Sequence, residues 1–572
     1  MEAIPADAGD YTPSLEEDPA LGLSHRAKME ILFAVMLGLF LGALDQTIVG
    51  PALPTIVTQL SGNDYYVWAI TIYLLTSTIS VPFWGKSSDI FGRKPVYMLG
   101  IAIFLIGSAL SGLSQNMGML ILFRGIQGIG AGALFPVALA IIGDLFTPKE
   151  RGKYQGLFGA VFGIAFVVGP LVGGFLTENF GWHWIFYVNI PIGIVALFVI
   201  QRLLPTVKKT GATRNFDLIG GAIFTVAISF LLVGLTNKQF GEWNEPTVGG
   251  FILVGLVLTL LFLFAESRAK EPIVPLDLWR NRTYSASMVS TFFAAFAFFG
   301  AIVFLPRWFQ VVEGFSPTDS GLAALPLMVG LILSSVLSGF LVSKTGRYKW
   351  LLVGSIIVMG VGTLLMTQLT KDTPVPVVWF WMFLVGLGVG PTFSVFTIVI
   401  QNAVPFRQLG VATSNLTFFR QIGGTIALAF VGTIFGTSFK DNLVPQMAAA
   451  GVPQPVLDGF AQSGASGALD LGQLTGVGDL ATILATMLPP QAQAAIPAIV
   501  EGIHGAFSLA TAQTFWLGVL GATAAAIAAV AIKEIPLRSS NEAAIPARAV
   551  DGAAIPASGN ADPISASTAL GD

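Results

Sequence analysis

The sequence predicts an all-α membrane protein of fourteen spanning helices, built as two equivalent sets of six with two helices inserted between them. Three observations carry that prediction: an apolar composition poor in charge, basic residues confined to alternate connections, and an internal repeat. The chain has 572 residues, of which 54% are hydrophobic and 11% charged. A soluble domain carries about 25% charged residues. Mean hydropathy is +0.77.

A spanning helix needs roughly 20 mostly apolar residues. Such runs lie in order near 31–50, 66–84, 95–113, 118–140, 155–177 and 185–203, then 217–235 and 248–265. The second set lies near 284–306, 320–342, 350–369, 375–399, 413–437 and 507–532. The run 480–488 is too short and stops at Pro489-Pro490. Lys and Arg favour cytoplasmic loops. With the N-terminus inside, the inner connections hold Lys86, Arg93 and Lys94, then Lys149, Arg151 and Lys153, and later Lys344, Arg347 and Lys349. The outer ones hold only Lys238, Arg307, Lys371 and Lys440, while Arg124 and Arg420 fall within spans. Both termini are therefore expected to be cytoplasmic.

The repeat relates GKSSDIFGRK (85–94) after span two to GFLVSKTGRYK (339–349) after span ten. Gly85, Gly92 and Arg93 match Gly339, Gly346 and Arg347 at one offset, and the glycine series 128–132 in span four matches 386–390 in span twelve. Repeated halves are common in secondary transporters. The expected organisation is a disordered tail at 1–30, a first unit at 31–203, an inserted pair at 217–265, a second unit at 284–532 and a disordered tail at 533–572. Within the second unit, 438–506 is a long outer segment, either a helical hairpin or a loose loop.

Several function classes drop out. The net charge of −3 suggests no nucleic-acid partner, and with no cysteine there is no disulfide or thiol nucleophile. His25, His183 and His504 are too scattered to bind a metal. No GxxxxGK[ST] loop marks an ATP-driven pump, and no cluster of nucleophile, acid and ligands marks an enzyme, so no cofactor is expected. The acidic first 24 residues lack the basic region of a signal peptide.

Six ordered stretches point further: LDQTIVGPALP (44–54), GKSSDIFGRKPV (85–96), RGIQGIGAG (124–132), GPLVGG (169–174), WHWIFYVNIPIG (182–193) and FFRQIGG (418–424). Together they resemble the major facilitator superfamily, specifically its fourteen-span drug:proton antiporter branch. The resemblance implies the major facilitator fold, two six-helix bundles around a central cavity, in the cell membrane. It also implies proton-coupled export of lipophilic drugs or metabolites by alternating access. The same architecture could move a lipid or glycolipid instead. The expected partners are a small lipophilic substrate, protons and the bilayer, with the chain a monomer. Gly50-Pro51, Ser87, Ala165 and His183 depart from the branch pattern, but none is a charged position in the membrane.

The candidate residues follow from cost and position. Asp45 lies about 21 Å from the inner edge of span one, and Arg124 about 10 Å into span four from the outside, at 1.5 Å per residue. The two thus share a depth, and an intramembrane charge by default marks a pathway or a pair. Burial raises a carboxylate pKa and a nearby guanidinium lowers it, so Asp45 and Arg124 are the proton-coupling candidates. Gly85, Asp89, Gly92 and Arg93 form a candidate gating turn, in which Asp89 meets a helix N-terminus or an arginine of the other half. Gly169, Pro170, Gly173 and Gly174 form a kinked, closely packed helix segment, and by resemblance bear on export direction. Gln127, Tyr73, Asn189, Arg420 and Gln421 are candidate cavity-lining residues, and Trp68, Tyr187, Trp308, Trp379 and Trp381 are further aromatics that could line it. With Asp45 the only deep carboxylate and Asp144, Asp217 and Glu266 near the inner surface, neutral or singly charged substrates are expected rather than dications.

Overall fold

The computed structural model describes residues 23–60, 66–205, 217–238, 241–269, 271–462, 480–487 and 493–537. Most of both expected tails, 1–22 and 538–572, lies outside the described residues, as do 463–479 and 488–492 of the outer segment. Thirteen helices are long and apolar enough to cross a membrane, and the 26-residue helix Tyr66–Phe91, diluted by serines and threonines, makes fourteen. The first set is α1 (His25–Gln59), α2 (Tyr66–Phe91), α3 (Arg93–Gly112), α4 (Met117–Leu145), α5 (Pro148–Asn179) and α6 (Trp184–Leu203). The inserted pair is α7 (Leu218–Asn237) and α8 (Pro246–Glu266). The second set is α9 (Arg282–Val311), α10 (Thr318–Thr345), α11 (Lys349–Met366), α12 (Val375–Ala403), α13 (Leu409–Ala449) and α14 (Ile496–Val530).

Local chemistry sets the helix ends. The Ser24 hydroxyl accepts from Ala27 N–H, so α1 starts before the tail boundary expected at residue 30. Thr147 and Glu150 form a capping box ahead of α5, and Pro148 sits in its first turn, where it costs no hydrogen bond. The two copies of the repeated turn each reverse on a left-handed glycine, Gly92 at φ 92° and Gly346 at φ 70°. At the other end of the chain, residues 533–537 do not belong to a loose tail. Ile535 N–H donates to the Tyr348 hydroxyl at 2.6 Å, and Tyr348 N–H donates to Glu534 at 3.0 Å.

The outer segment differs most from expectation. α13 runs for 41 residues, about 60 Å at 1.5 Å per residue, against a hydrocarbon core of about 30 Å. It therefore projects beyond the bilayer, where it packs on the start of α14 through Gly502 against Met447 and Gly505 against Gln446. Between Ala449 and Ile496 the described residues include the short helices Gln454–Gln462 and Leu480–Met487. Such extensions carry no apolar run, so a search for spans stops short of them.

Each set packs as one bundle, and the two bundles meet through exchanged equivalents: α5 packs on α10 and α12, while α13 packs on α2 and α4. The second bundle has one continuous apolar core. The first has two, one containing Leu39 and Leu41 of α1 and the other Ala43, Leu44 and Ile48. A polar layer built around Asp45 lies between them. The inserted α7 and α8 cover the α2–α13 seam with Phe224, Ile228 and Phe262 against Leu75, Ile79 and Phe418.

Candidate functional site

Asp45 is fully buried at the junction of the first bundle's two cores. Arg124 of α4 donates from Nη1 to its Oδ2 at 2.5 Å. Gln127, one helical turn further along α4, donates to Oδ1 at 2.7 Å, and its own Oε1 accepts from Arg124 at 2.9 Å. Asn189 of α6 donates to Oδ1 at 3.1 Å. The guanidinium is held in turn by the Ala69 carbonyl at 3.3 Å and by the Tyr73 ring, 4.2 Å from its centroid. Four helices thus converge on one ion pair from which water is excluded. Asp45 and Arg124, paired from the sequence, and Gln127, Asn189 and Tyr73, expected to line the cavity, form a single cluster.

That geometry makes the pair costly to break from either side. While Asp45 is ionised, the pair is neutral and both carboxylate oxygens accept hydrogen bonds. A proton on Asp45 cancels the attraction and leaves a buried guanidinium uncompensated, a condition that costs about 3–5 kcal/mol when a partner is removed.

The repeated turn forms a second cluster at the face carrying the basic connections. Asp89 accepts from Gly410 N–H at 3.2 Å and Val411 N–H at 2.9 Å, so it caps the start of α13 in the other bundle. Arg93 pairs with Asp89 at 2.7 Å and with Asp144 of α4 at 2.8 Å. The two bundles touch backbone to backbone here, since a Cβ on Gly85 would strike Ser414 and the Gly410 carbonyl. In the second copy Gly339 meets Gly152 in the same way, but Ser343, in place of the aspartate, donates its hydroxyl to the Lys149 carbonyl. Gln155 Nε2 adds a cross-bundle hydrogen bond to Gln401 Oε1 at 2.8 Å.

The α5 segment splits by face. Cβ atoms on Gly169 and Gly173 would collide with Thr47 and Ile48 of α1, just past Asp45. Pro170 and Gly174 instead face Gly321 and Thr318 of the second bundle. One helix therefore links the Asp45 neighbourhood to the seam between bundles. Pro170 lies inside that helix, which runs on past it to Asn179.

Arg420 and Gln421 lie apart from these clusters. The Arg420 guanidinium donates to the Thr392 carbonyl at 3.0 Å and sits over the Phe393 ring, 4.1 Å from its centroid. Gln421 Oε1 is buried without a hydrogen-bond partner among the described residues. Trp308 is no cavity residue: it is fully buried in the second core and donates to Ser508 at 2.9 Å. Sequence reasoning missed the phenylalanines that cross the midline, where Phe162 of α5 meets Phe393 at 5.6 Å, with Phe135 and Phe166 beside it. In a chain with 44 phenylalanines, nothing local distinguishes these from lipid-facing ones. It also missed the Arg93–Asp144 pairing, although both residues flank basic loops on one face.

Comparison with known proteins shows what the chain as a whole is similar to. The family described as Major Facilitator Superfamily matches residues 35–428. The chain is 40% identical over 423 residues to Multidrug transporter protein MdtP of Bacillus subtilis (strain 168), covering 73% of this chain and 78% of that one. It is 35% identical over 416 residues to Multidrug resistance protein 3 of the same organism, covering 72% and 80%. The solved structure of the proton:xylose symporter XylE aligns with a TM-score of 0.56 at 14% identity, over 88% of this chain and 95% of that one, a likeness of fold alone.

Proposed function

The chain belongs to the major facilitator superfamily and is a multi-pass membrane transporter, not an enzyme; from that premise we propose that it exports lipophilic drugs or metabolites in exchange for protons. The plasma membrane, with both termini in the cytoplasm, is its proposed setting. Asp45 carries the proton, and Arg124 sets the cost of its arrival. Gln127, Asn189 and Tyr73 position the pair. The cycle alternates between two states. In the state described, the bundles are joined at the basic face through Asp89 and the α13 N-terminus. Protonation of Asp45 weakens its hold on Arg124, α1 shifts against Gly169 and Gly173, and α5 transmits the shift to α10. The observation that carries this reading is the fully buried 2.5 Å Asp45–Arg124 pair inside the first bundle. A permanent structural pair at that position is a costly way to hold a fold together.

The test is transport in proteoliposomes with an imposed pH gradient and a panel of lipophilic dyes. Asp45→Asn keeps the shape and half the hydrogen bonding, so the variant is expected to fold and bind dye but lose export driven by the gradient. Wild-type pH-driven export by Asp45→Asn would remove the carboxylate from the mechanism. Lipid-loaded vesicles in the same assay separate drug export from export of a lipid or glycolipid.

A further inference from the structure

The two bundles treat their mid-membrane arginines differently. Arg124 is neutralised by Asp45. Arg420 lies about 16 Å along α13 from Leu409, at 1.5 Å per residue, and is 8% exposed. Of its five N–H donors, the recorded hydrogen bond is the one from Nη2 to the Thr392 carbonyl. One face is covered by Phe393. Among the described residues no carboxylate forms an ion pair with it. A guanidinium at this depth without a counter-ion is expensive, and such a group ordinarily faces a partner or a pathway. Its surroundings point to a pathway. The ring beneath it contacts Phe162 of the other bundle at 5.6 Å and Phe298 at 5.9 Å, so the cation borders an aromatic surface shared by both halves.

Resting on the transport reading above, we infer that Arg420 is the anchor for an anionic group on the substrate, with the Phe162–Phe393 surface taking the substrate's aromatic body. The favoured class is an aromatic monocarboxylate or sulfonate. A guanidinium meets either group through two parallel hydrogen bonds. A dianion would leave its second charge unpaired, since the second guanidinium at this depth is already held by Asp45. The second bundle thus recognises charge while the first bundle carries the proton.

The experiment needs no pH gradient, so its failure is separable from failure of proton coupling. Binding of 1-pyrenebutyric acid and of its methyl ester to the purified transporter is measured in detergent by fluorescence anisotropy. The wild-type protein is expected to prefer the acid by about tenfold or more, the effect of one charge-assisted hydrogen bond. Arg420→Gln is expected to erase that preference while still binding the ester, and Arg420→Lys to keep part of it. Equal wild-type affinity for acid and ester would overturn the assignment without any variant. An Arg420→Gln protein that is folded by thermal unfolding and still prefers the acid would overturn it as well.

Discussion

At the scale of single residues, the charges divide by what their loss leaves behind. Asp89 accepts two N–H groups from the α13 N-terminus, an interaction worth about 0.3–1 kcal/mol when exposed and up to ~2 when partly buried. Since 1.4 kcal/mol is about tenfold in an equilibrium, Asp89→Asn is expected to shift the state balance by up to about thirtyfold. Turnover in proteoliposomes should therefore fall while the dye dissociation constant stays nearly unchanged. Lost affinity with an unchanged rate of interconversion would argue against the latch. Arg93→Ala should be worse, because it strands the buried carboxylates of Asp89 and Asp144 together. The sequence made Asp45, Arg124 and Asp89 visible because charge in an apolar run, or in a repeated turn, has few physical excuses. It hid Asp144 as a partner because a carboxylate at the end of a helix next to a basic loop has many. Arg420 was visible as a cost, but that no carboxylate among the described residues pairs with it emerges only when four helices are assembled around it.

At the scale of elements, the contacts between bundles depend on missing side chains. α2 crosses α13 at Gly85 and Gly410, and α10 crosses α5 at Gly339 and Gly152, each pair approaching too closely for a Cβ. These crossings belong to the state closed at the basic face, while packing within each bundle does not depend on them. Gly152→Val is therefore expected to preserve the folded protein but abolish sustained transport. The same change at Gly354, which has nothing within 4 Å of a Cβ, should transport normally. Dye transport and thermal unfolding of both variants, measured side by side, check this. A Gly152→Val variant with normal turnover would mean that the basic face never needs to close this tightly. The spans themselves were legible because bilayer thickness imposes a length on apolar runs. The extensions of α13 and α14 were not, because polar surroundings impose none: the stretch KDNLVPQMAAA (440–450) reads equally well as loop or helix, and only packing against α14 decides it.

At the scale of the whole molecule, the twofold relation between bundles is broken at their seams as well as at their arginines. The α7–α8 pair covers the α2–α13 seam and leaves the α5–α10 seam without such a cover. The basic face is also latched by a carboxylate in one copy of the turn and by a hydroxyl in the other. Closure on the α5–α10 side therefore rests on neutral contacts, Ser343 to the Lys149 carbonyl and Ser335 to the Gly156 carbonyl. Neutral hydrogen bonds are worth less than charge-assisted ones, so this seam should part first when Asp45 takes a proton. The chain has no cysteine, so an introduced pair reports on this seam alone. Lys149→Cys with Ser343→Cys is expected to link through a short bis-thiosulfonate reagent in wild-type background at neutral pH, and the link should stop transport until it is reduced. In Asp45→Asn, which mimics the protonated state, the linking rate should fall about tenfold, the change produced by a shift of 1.4 kcal/mol. An unchanged rate in that background would show that the proton site and the basic-face seam move independently. The path from Asp45 through α1 and Gly169 to α5 would then not be how this transporter couples its two ends.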